Sequence, residues 1–363
     1  IIDKSIENFY KVIVKYLTNV VRHPIDNGEI NDIDFINGID FVKDTNIHIG
    51  TMGYNTSETN YWDVIYGKSE NYLELYGQQF NTLEINSTYY NDYEEAYWKT
   101  LEKNLEKSDI TQCTVVFNKE FSDLFSNSEV LNSKMYNEDN DEITYENVKY
   151  NNDKDVDDLE LDNGEINIRY IFNKHYNKKI FNIRKYVKNI LFKFEESFVF
   201  NEVNFNNIKK IDSIRNKFNK GTKYFIFEFM SPSWDTKEVN NYFIEKKWSI
   251  CKTIQEDQFN YFNRNYFINY IKLYGSTNKY SGSQIHNLDL VVNEIKKIKN
   301  KTQIFNKLKS IKKKTYIYFN NVTTNRKNEE YSLIEDGEDN SIPAAVYDGK
   351  ILYKVLEQLD LND

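Results

Sequence analysis

Two glutamates interrupt apolar stretches of the sequence and have the clearest capacity for chemistry. Glu84 lies within Thr82–Ile85, and Glu228 lies within Lys223–Phe229. A carboxylate in an apolar strand is costly unless it is paired or hydrogen-bonded. Each glutamate therefore predicts either acid–base chemistry or cation binding, or a buried network in which a Lys, Tyr or Asn side chain holds the carboxylate.

Four further polar residues are candidates for the same site. Lys272 is a potential partner for one of the glutamates or for an anionic ligand, and Thr51 directly follows an apolar run that ends in a glycine. Asn86 and Asn320 are placed either to orient a ligand through amide hydrogen bonds or to cap the turns that follow them.

Four aromatic residues accompany these polar candidates along the sequence. They are Tyr54, Tyr89, Trp234 and Tyr280. Such side chains can stack on a flat ligand such as a nucleobase or a sugar. Because aromatic residues make up 16% of the chain, ordinary packing in the core is the alternative interpretation.

Strands and helices alternate along the sequence, and this alternation decides where the candidates lie. The predicted strands are Ile47–Gly50, Thr82–Ile85, Thr111–Phe117, the second part of Phe181–Phe192, Lys223–Phe229, Trp248–Ile254, Phe267–Leu273 and Thr315–Phe319. The predicted helices are Tyr72–Phe80, Tyr93–Glu106, the first part of Phe181–Phe192, Val239–Lys247, Leu288–Leu308 and Ile351–Leu359. Alternating strands and helices predict β–α–β units and a parallel sheet.

The fold class follows from the number of these units. Eight strands over about 250 residues or more indicate a closed (β/α)8 TIM barrel, with an open doubly wound sheet as the alternative. No glycine-rich GxGxxG turn supports dinucleotide binding. Since ligands of such barrels bind at the carboxyl ends of the strands, the candidates above are expected there, together with Lys193 and Glu195 after the fourth strand.

The chain divides into a barrel and two added segments. Apolar residues recur at helical spacing in Ser5–Val21, which predicts an N-terminal helical extension over residues 1–46 and a barrel over 47–363. A strongly acidic insertion interrupts the barrel at about 131–178. The aspartates of that insertion lack the glycine that a calcium-binding loop requires, so no calcium site is predicted there.

Six segments, taken in order, resemble the YecE-like family, a family of barrel proteins of unknown function. They are IHIGTMGY (Ile47–Tyr54), FNTLEINSTYY (Phe80–Tyr90), NILFKFEESFVFN (Asn189–Asn201), FIFEFMSPSW (Phe225–Trp234), YIKLYGSTNKYSG (Tyr270–Gly282) and YIYFNN (Tyr316–Asn321). The second is the most specific of the six. The resemblance implies a (β/α)8 barrel, similar in broad shape to xylose-isomerase-like barrels and to metal-dependent abasic-site endonucleases.

The chain departs from the family pattern at several positions, which marks it as a divergent member. Met230–Ser231 stands where the family has Arg-His, Tyr274 replaces a His, and Lys272 replaces an Arg. The segment Lys193–Phe198 stands where the family usually has Gln-Leu-Pro-Pro-Ser-Phe, so that Glu195–Glu196 replaces Pro-Pro. The site thus keeps its Glu and Asn members and loses its His and Arg members.

These departures predict a degenerate, non-catalytic barrel that acts as a binding or structural component. A protein partner would contact the N-terminal helix or the acidic insertion. The alternative is an enzyme or ligand-binding protein whose phosphorylated, nucleotide or sugar-like ligand occupies the carboxyl-terminal mouth of the barrel.

Charge and composition exclude several other classes of function. A net charge of −9 argues against non-specific nucleic-acid binding. The four histidines form no HxH or HExxH pair, so neither a metal nor a cofactor is predicted. No run approaches the roughly 18 apolar residues of a membrane span, and charged residues punctuate the N-terminal region, so we expect an intracellular, cytoplasmic protein that does not insert into membranes.

Overall fold

The structure is a computed structural model, which describes residues 46–54, 66, 72–126, 180–212, 224–255, 258–259, 267–274, 314–320, 345–346, 349–350 and 352–353. The strands are β1 (Ile47–Met52), β2 (Thr82–Ile85), β3 (Gln112–Val116), β4 (Val187–Phe194), β5 (Tyr224–Phe229), β6 (Ser249–Ile250), β7 (Lys252–Gln255), β8 (Gln258–Phe259), β9 (Asn269–Leu273) and β10 (Thr315–Asn320). The helices are α1 (Tyr72–Gln79), α2 (Glu95–Lys107), α3 (Lys119–Ser126), α4 (Glu202–Lys210) and α5 (Lys237–Lys246), with short 3-10 helices at Ser87–Tyr89 and Pro232–Trp234.

The strands are hydrogen-bonded in the order β6-β5-β4-β3-β2-β1-β10-β9-β7-β8. Nine of them run parallel, and β8 pairs antiparallel with β7. In the described part of the chain, helices α1 to α5 each follow one of the strands β1 to β5, which is the arrangement of a (β/α)8 barrel. The predicted fold class, an α/β TIM barrel, is therefore confirmed.

The chain forms two compact units, of which the first comprises residues 1–85, 103–114 and 251–363. Within it, β1 pairs with β10 over the whole strand, from Ile47 opposite Thr315 to Met52 opposite Asn320. Strand β10 pairs in turn with β9, and β9 with β7. Gly50 allows the close approach of β1 and β2, because a Cβ atom there would lie 2.1 Å from the carbonyl oxygen of Thr82.

Strand register puts one set of polar side chains on a common face of this unit. Tyr318 lies opposite Gly50 in β1 and opposite Lys272 in β9. Met52, two residues beyond Gly50, lies opposite both Glu84 and Asn320. Because residues that are opposite each other in parallel strands point to the same side, alternate residues of these strands share one face.

The second unit comprises residues 86–102 and 115–250 and has a largely aromatic core. Strands β4 and β5 pair in parallel over six residues, from Asn189 opposite Tyr224 to Phe194 opposite Phe229, and β5 continues the pairing to β6. Stacked, tilted or edge-to-face aromatic rings fill the space between these strands and the helices. They include Phe192, Phe194, Phe198, Phe227, Phe229, Phe243, Trp234 and Trp248.

Two of the predicted elements were wrong in detail, and two helices were missed. Residues 180–186 form turns rather than a helix, and the strand that follows starts at Val187. The strand predicted over Trp248–Ile254 is interrupted at Cys251, which separates β6 from β7. Helices α3 and α4, of eight and nine residues, were not among the predicted helices.

Other predicted features lie outside the described residues. They are the N-terminal helix Ser5–Val21, the helix Leu288–Leu308 and the acidic insertion at 131–178. Within the predicted closing helix Ile351–Leu359, Leu352 and Tyr353 are helical and buried. The proposed boundary between an N-terminal extension and the barrel stays a prediction.

Candidate functional site

Glu84 lies in the first unit, on β2, and is completely buried. The hydroxyl of Tyr270 donates a hydrogen bond to Glu84 Oε2 at 2.6 Å, and Lys272 Nζ lies 3.0 Å from Oε1. Burial and the nearby carboxylate hold the pKa of Tyr270 well above its usual value, so its hydroxyl remains a donor. Both carboxylate oxygens are therefore engaged by side chains of the strand β9.

A layer of hydroxyl groups lies beside this ion pair. The Tyr318 hydroxyl is 2.9 Å from Thr82 Oγ1 and 3.0 Å from Thr114 Oγ1, and its ring lies 5.2 Å from that of Tyr270. Burial is the main reason that the pKa of Tyr318 is raised well above its usual value. The three strands β2, β3 and β10 thus share a hydrogen-bonded layer that continues from Glu84.

Lys272 supplies the positive charge of this layer and has almost no exposure to solvent. Its ammonium also lies 5.1 Å from the centre of the Tyr274 ring, within the range of a cation–π interaction. The predicted pairing of Lys272 with a glutamate is thus seen at Glu84. A buried ion pair is tolerated only when further hydrogen bonds satisfy it, and Tyr270 supplies one.

Asn320 is the last residue of β10 and lies close to this layer. Its Nδ2 donates to the carbonyl oxygen of Tyr274 at 3.2 Å, and it is 9% exposed. Because Met52 lies opposite both Asn320 and Glu84, these two residues lie at the same level of the sheet. The structure therefore brings together Glu84, Lys272 and Asn320 among the predicted residues.

Thr51 and Tyr54 contact helix α1 rather than the polar layer. The Thr51 hydroxyl lies 3.1 Å from Tyr76 Oη, and the Thr51 amide donates to the same oxygen at 2.8 Å. The rings of Tyr54 and Tyr76 pack edge to face, with their centres 6.5 Å apart. Thr51 is fully buried on the helix side of β1, and this placement favours packing over ligand binding for that residue.

Asn86 and Tyr89 belong to the second unit, where β2 leads into a 3-10 helix. Asn86 precedes the helix, and its carbonyl oxygen accepts from the Tyr89 amide at 3.0 Å. The Tyr89 hydroxyl donates to Glu195 Oε1 at 2.6 Å, and Lys193 Nζ lies 5.1 Å from the centre of the Tyr89 ring. Burial first, and then the bond to Glu195, raises the pKa of Tyr89.

Glu228 and Trp234 lie in the same unit and are both fully buried. Glu228 is opposite Lys193 in the β4–β5 pair, so the two side chains share a face. The Trp234 ring stacks on Phe229 at 4.3 Å and on Phe198 at 5.1 Å, and its indole N–H donates to the Phe198 carbonyl at 2.6 Å. With both faces covered, Trp234 serves as core, the alternative stated above for the aromatic candidates.

Sequence reasoning missed the partners of Glu84 other than Lys272, and one candidate lies outside the described residues. Tyr270 is two residues from Lys272 on β9, and Tyr318 is two residues from Asn320 on β10. That spacing puts each pair on one face of a strand, and it is the signal that would have identified the tyrosines. Tyr280 is the candidate outside the described part of the chain.

The chain matches the profile of a family described as "Protein of unknown function DUF72" over residues 48–331. This match covers well over half of the chain. The chain belongs to the DUF72 family. DUF72 is the YecE-like family, so the family resemblance found in the six sequence segments is confirmed.

A solved structure of a DUF72 protein is similar to this chain in fold. This DUF72 family protein from Thermotoga maritima superposes with a TM-score of 0.51 at 17% identity, over 86% of this chain and 99% of the other. At this identity the similarity concerns the fold alone. A DUF72 family protein from Enterococcus faecalis gives a TM-score of 0.49 at 10% identity, over 86% of this chain and 97% of the other. No curated protein matches the chain.

The part of the chain that the structure describes lacks two features. No three His, Cys, Asp or Glu side chains are grouped so that they could hold a metal ion. No described helix combines the length and the apolar character that crossing a membrane would require.

Proposed function

We propose that this DUF72 protein is a non-catalytic binding or structural component. The observation that carries the proposal is the environment of Glu84. This residue is fully buried, Tyr270 contacts one of its carboxylate oxygens, and Lys272 contacts the other. A general acid or base must come within about 2.6–3.2 Å of the heavy atom that carries the proton. Here the Tyr270 hydroxyl occupies that position at Oε2, and the Lys272 ammonium forms an ion pair at Oε1.

The other described candidates support the same proposal. The Trp234 ring is covered on both faces, and the Thr51 hydroxyl bonds to Tyr76 of α1. The side-chain amide of Asn320 donates a hydrogen bond to the backbone carbonyl of Tyr274. Side chains that are committed to contacts within the protein contribute to its stability rather than to a reaction.

A partner protein would contact the segments added to the barrel. Residues 1–46 precede the stretch that matches the family profile, 48–331, and the insertion at 131–178 is rich in Asp and Glu. The acidic insertion favours a basic surface on the partner, since complementary charge speeds association and selects the partner.

A binding screen tests whether the barrel is catalytic. Wild type, Glu84→Gln and Glu228→Gln are compared for turnover and binding across metabolites and oligonucleotides, and the folded state of each is checked by circular dichroism. We expect the three profiles to be identical. A reaction that wild type performs and that folded Glu84→Gln does not perform would overturn the proposal.

A pull-down tests the partner. The full chain is compared with chains that lack residues 1–46, the insertion at 131–178, or both, after each has been shown to melt cooperatively. We expect at least one deletion to remove the partner. An unchanged set of partners after both deletions would count against the added segments as the binding surface.

One observation favours a second candidate function. Glu84, Lys272 and Asn320 lie at the carboxyl ends of β2, β9 and β10, where TIM barrels bind their ligands. The second candidate is therefore an enzyme or ligand-binding protein for a phosphorylated, nucleotide or sugar-like molecule. Saturable binding of such a molecule by wild type, lost in a folded Lys272→Met variant, would select it over the first.

A further inference from the structure

Two opposite charges lie near each other at the end of β4 without forming an ion pair. Lys193 is the second-last residue of β4, and Glu195 follows the strand. Both side chains are partly exposed to solvent. In the described part of the chain, Lys193 contacts the face of Tyr89, and Glu195 accepts from its hydroxyl. No ion pair joins the two charges there.

Tyr89 holds the two charges in separate places. Its hydroxyl binds Glu195 Oε1 at 2.6 Å, and its ring lies 5.1 Å below the Lys193 ammonium. Tyr89 is 2% exposed and belongs to the 3-10 helix Ser87–Tyr89, which restricts the position of its side chain. Partly buried charges of opposite sign gain by closing on each other. Because Tyr89 keeps the two charges apart, each of them can still bind a charged group of a ligand.

We propose that Lys193, Tyr89 and Glu195 form a binding site for a small zwitterion of the α-amino acid class. The carboxylate of the ligand binds the Lys193 ammonium, and its amino group binds Glu195. A preorganised pair of charges binds such a ligand without first breaking an ion pair of the protein. The site lies in the second unit, and it uses none of the residues of the Glu84 layer.

The charges around Tyr89 suit a zwitterion rather than a simple anion. Lys193 offers one positive charge and Glu195 one negative charge to the same ligand. Asp123 also acts on the Tyr89 hydroxyl, and Lys119 offsets it at 3.7 Å. A ligand that carries only a carboxylate would contact Lys193 but would be repelled by Glu195.

Titration of the full-length protein tests this proposal. An equimolar mixture of the proteinogenic α-amino acids is screened by saturation-transfer NMR, and the strongest binder is then titrated by calorimetry beside acetate and ethylammonium. We expect one or more amino acids to bind and each single-charge compound to bind at least about tenfold more weakly. Absence of binding by every amino acid, or equal binding of acetate, would overturn the proposal.

Variants then identify the residues that bind. Lys193→Gln and Glu195→Gln should each weaken binding about tenfold or more, because each removes a charge-assisted contact. Lys193→Arg, which keeps the positive charge and can still lie over the Tyr89 ring, should retain binding better than Lys193→Gln. The matched controls are Lys188→Gln on the same strand and Glu196→Gln beside the site, for which we expect no change. Equal losses in controls and site variants would contradict the assignment.

Discussion

Glu84 and Lys272 form an ion pair with almost no exposure to solvent, whereas Lys99 and Glu95 form one on the surface of α2. The N–O distances are similar, 3.0 Å and 2.7 Å, but the side chains are 0–3% exposed in the first pair and 60–67% exposed in the second. Removing one partner of a buried pair leaves an uncompensated charge, while an exposed charge is solvated by water. The two pairs therefore contribute differently to stability.

A double-mutant cycle measures this difference. Lys272→Met and Glu84→Gln should each lower the free energy of unfolding by about 3–5 kcal/mol. The double variant should recover much of that loss, because it leaves no unpaired charge. Urea unfolding gives the values. Lys99→Met is the control and should change stability by less than about 1 kcal/mol; a buried pair that behaves like this control would contradict the structural role of Glu84.

His48 is buried on β1, where its ring stacks on Tyr316 at 4.6 Å. Burial, aided by the positive charge of Lys314, lowers its pKa from 6.5 to about 3. The unfolded chain binds a proton at His48 below pH 6.5, and the folded chain does not. This contribution to stability is therefore complete above pH 6.5 and is lost as the pH falls toward 3.

The stability of wild type should accordingly fall with pH more steeply than that of His48→Phe, which keeps a stacking ring. Between pH 6 and pH 5, the difference between the two free energies of unfolding should change by about 1.4 kcal/mol per pH unit. Urea unfolding at pH 7.5, 6 and 5 measures it. Parallel pH profiles of the two proteins would show that His48 is protonated in the folded state.

At the scale of one element, the two ends of helix α5 show how the sequence encodes helix capping. The Thr236 hydroxyl accepts from the Val239 amide at 3.2 Å and caps the amino end. Lys247 ends the helix with φ of 57°, a left-handed conformation in which a side chain is strained. Glycine is the usual residue at this position because it lacks a Cβ atom.

Substitution at the two ends of α5 should therefore have opposite effects. Lys247→Gly should raise the free energy of unfolding by about 0.5–1 kcal/mol, whereas Thr236→Ala should lower it by about 1 kcal/mol. Thermal melts followed by circular dichroism report both changes. A destabilised Lys247→Gly variant would mean that the contacts of the lysine side chain outweigh the strain.

At the scale of the whole molecule, the net charge of −9 lowers the affinity of the protein for polyanions such as nucleic acid. Non-specific affinity for nucleic acid arises mainly from the release of counterions by clustered Lys and Arg. We therefore expect no binding to random-sequence duplex DNA at about 150 mM salt. Fluorescence anisotropy with a labelled duplex measures this, and salt-dependent micromolar binding would reveal a basic patch that net charge does not predict.

The sequence by itself determined most of the parallel strands and the family of this protein. Strand Thr82–Ile85 was predicted with its observed bounds, because an apolar run between turn residues has a length that only a strand suits. Lys272 was named as a partner for a glutamate because a buried carboxylate requires one. Both inferences depend on local composition, which is why the sequence was sufficient.

Only the tertiary structure decided which glutamate Lys272 binds and which face each candidate occupies. Glu84 and Lys272 are 188 positions apart in the chain, and the registers of β2, β1, β10 and β9 bring them to 3.0 Å. Register depends on interactions summed along whole strands, and a shift of one residue would reverse every side chain. For the same reason, Thr51 was a site candidate in the sequence and contacts α1 in the structure.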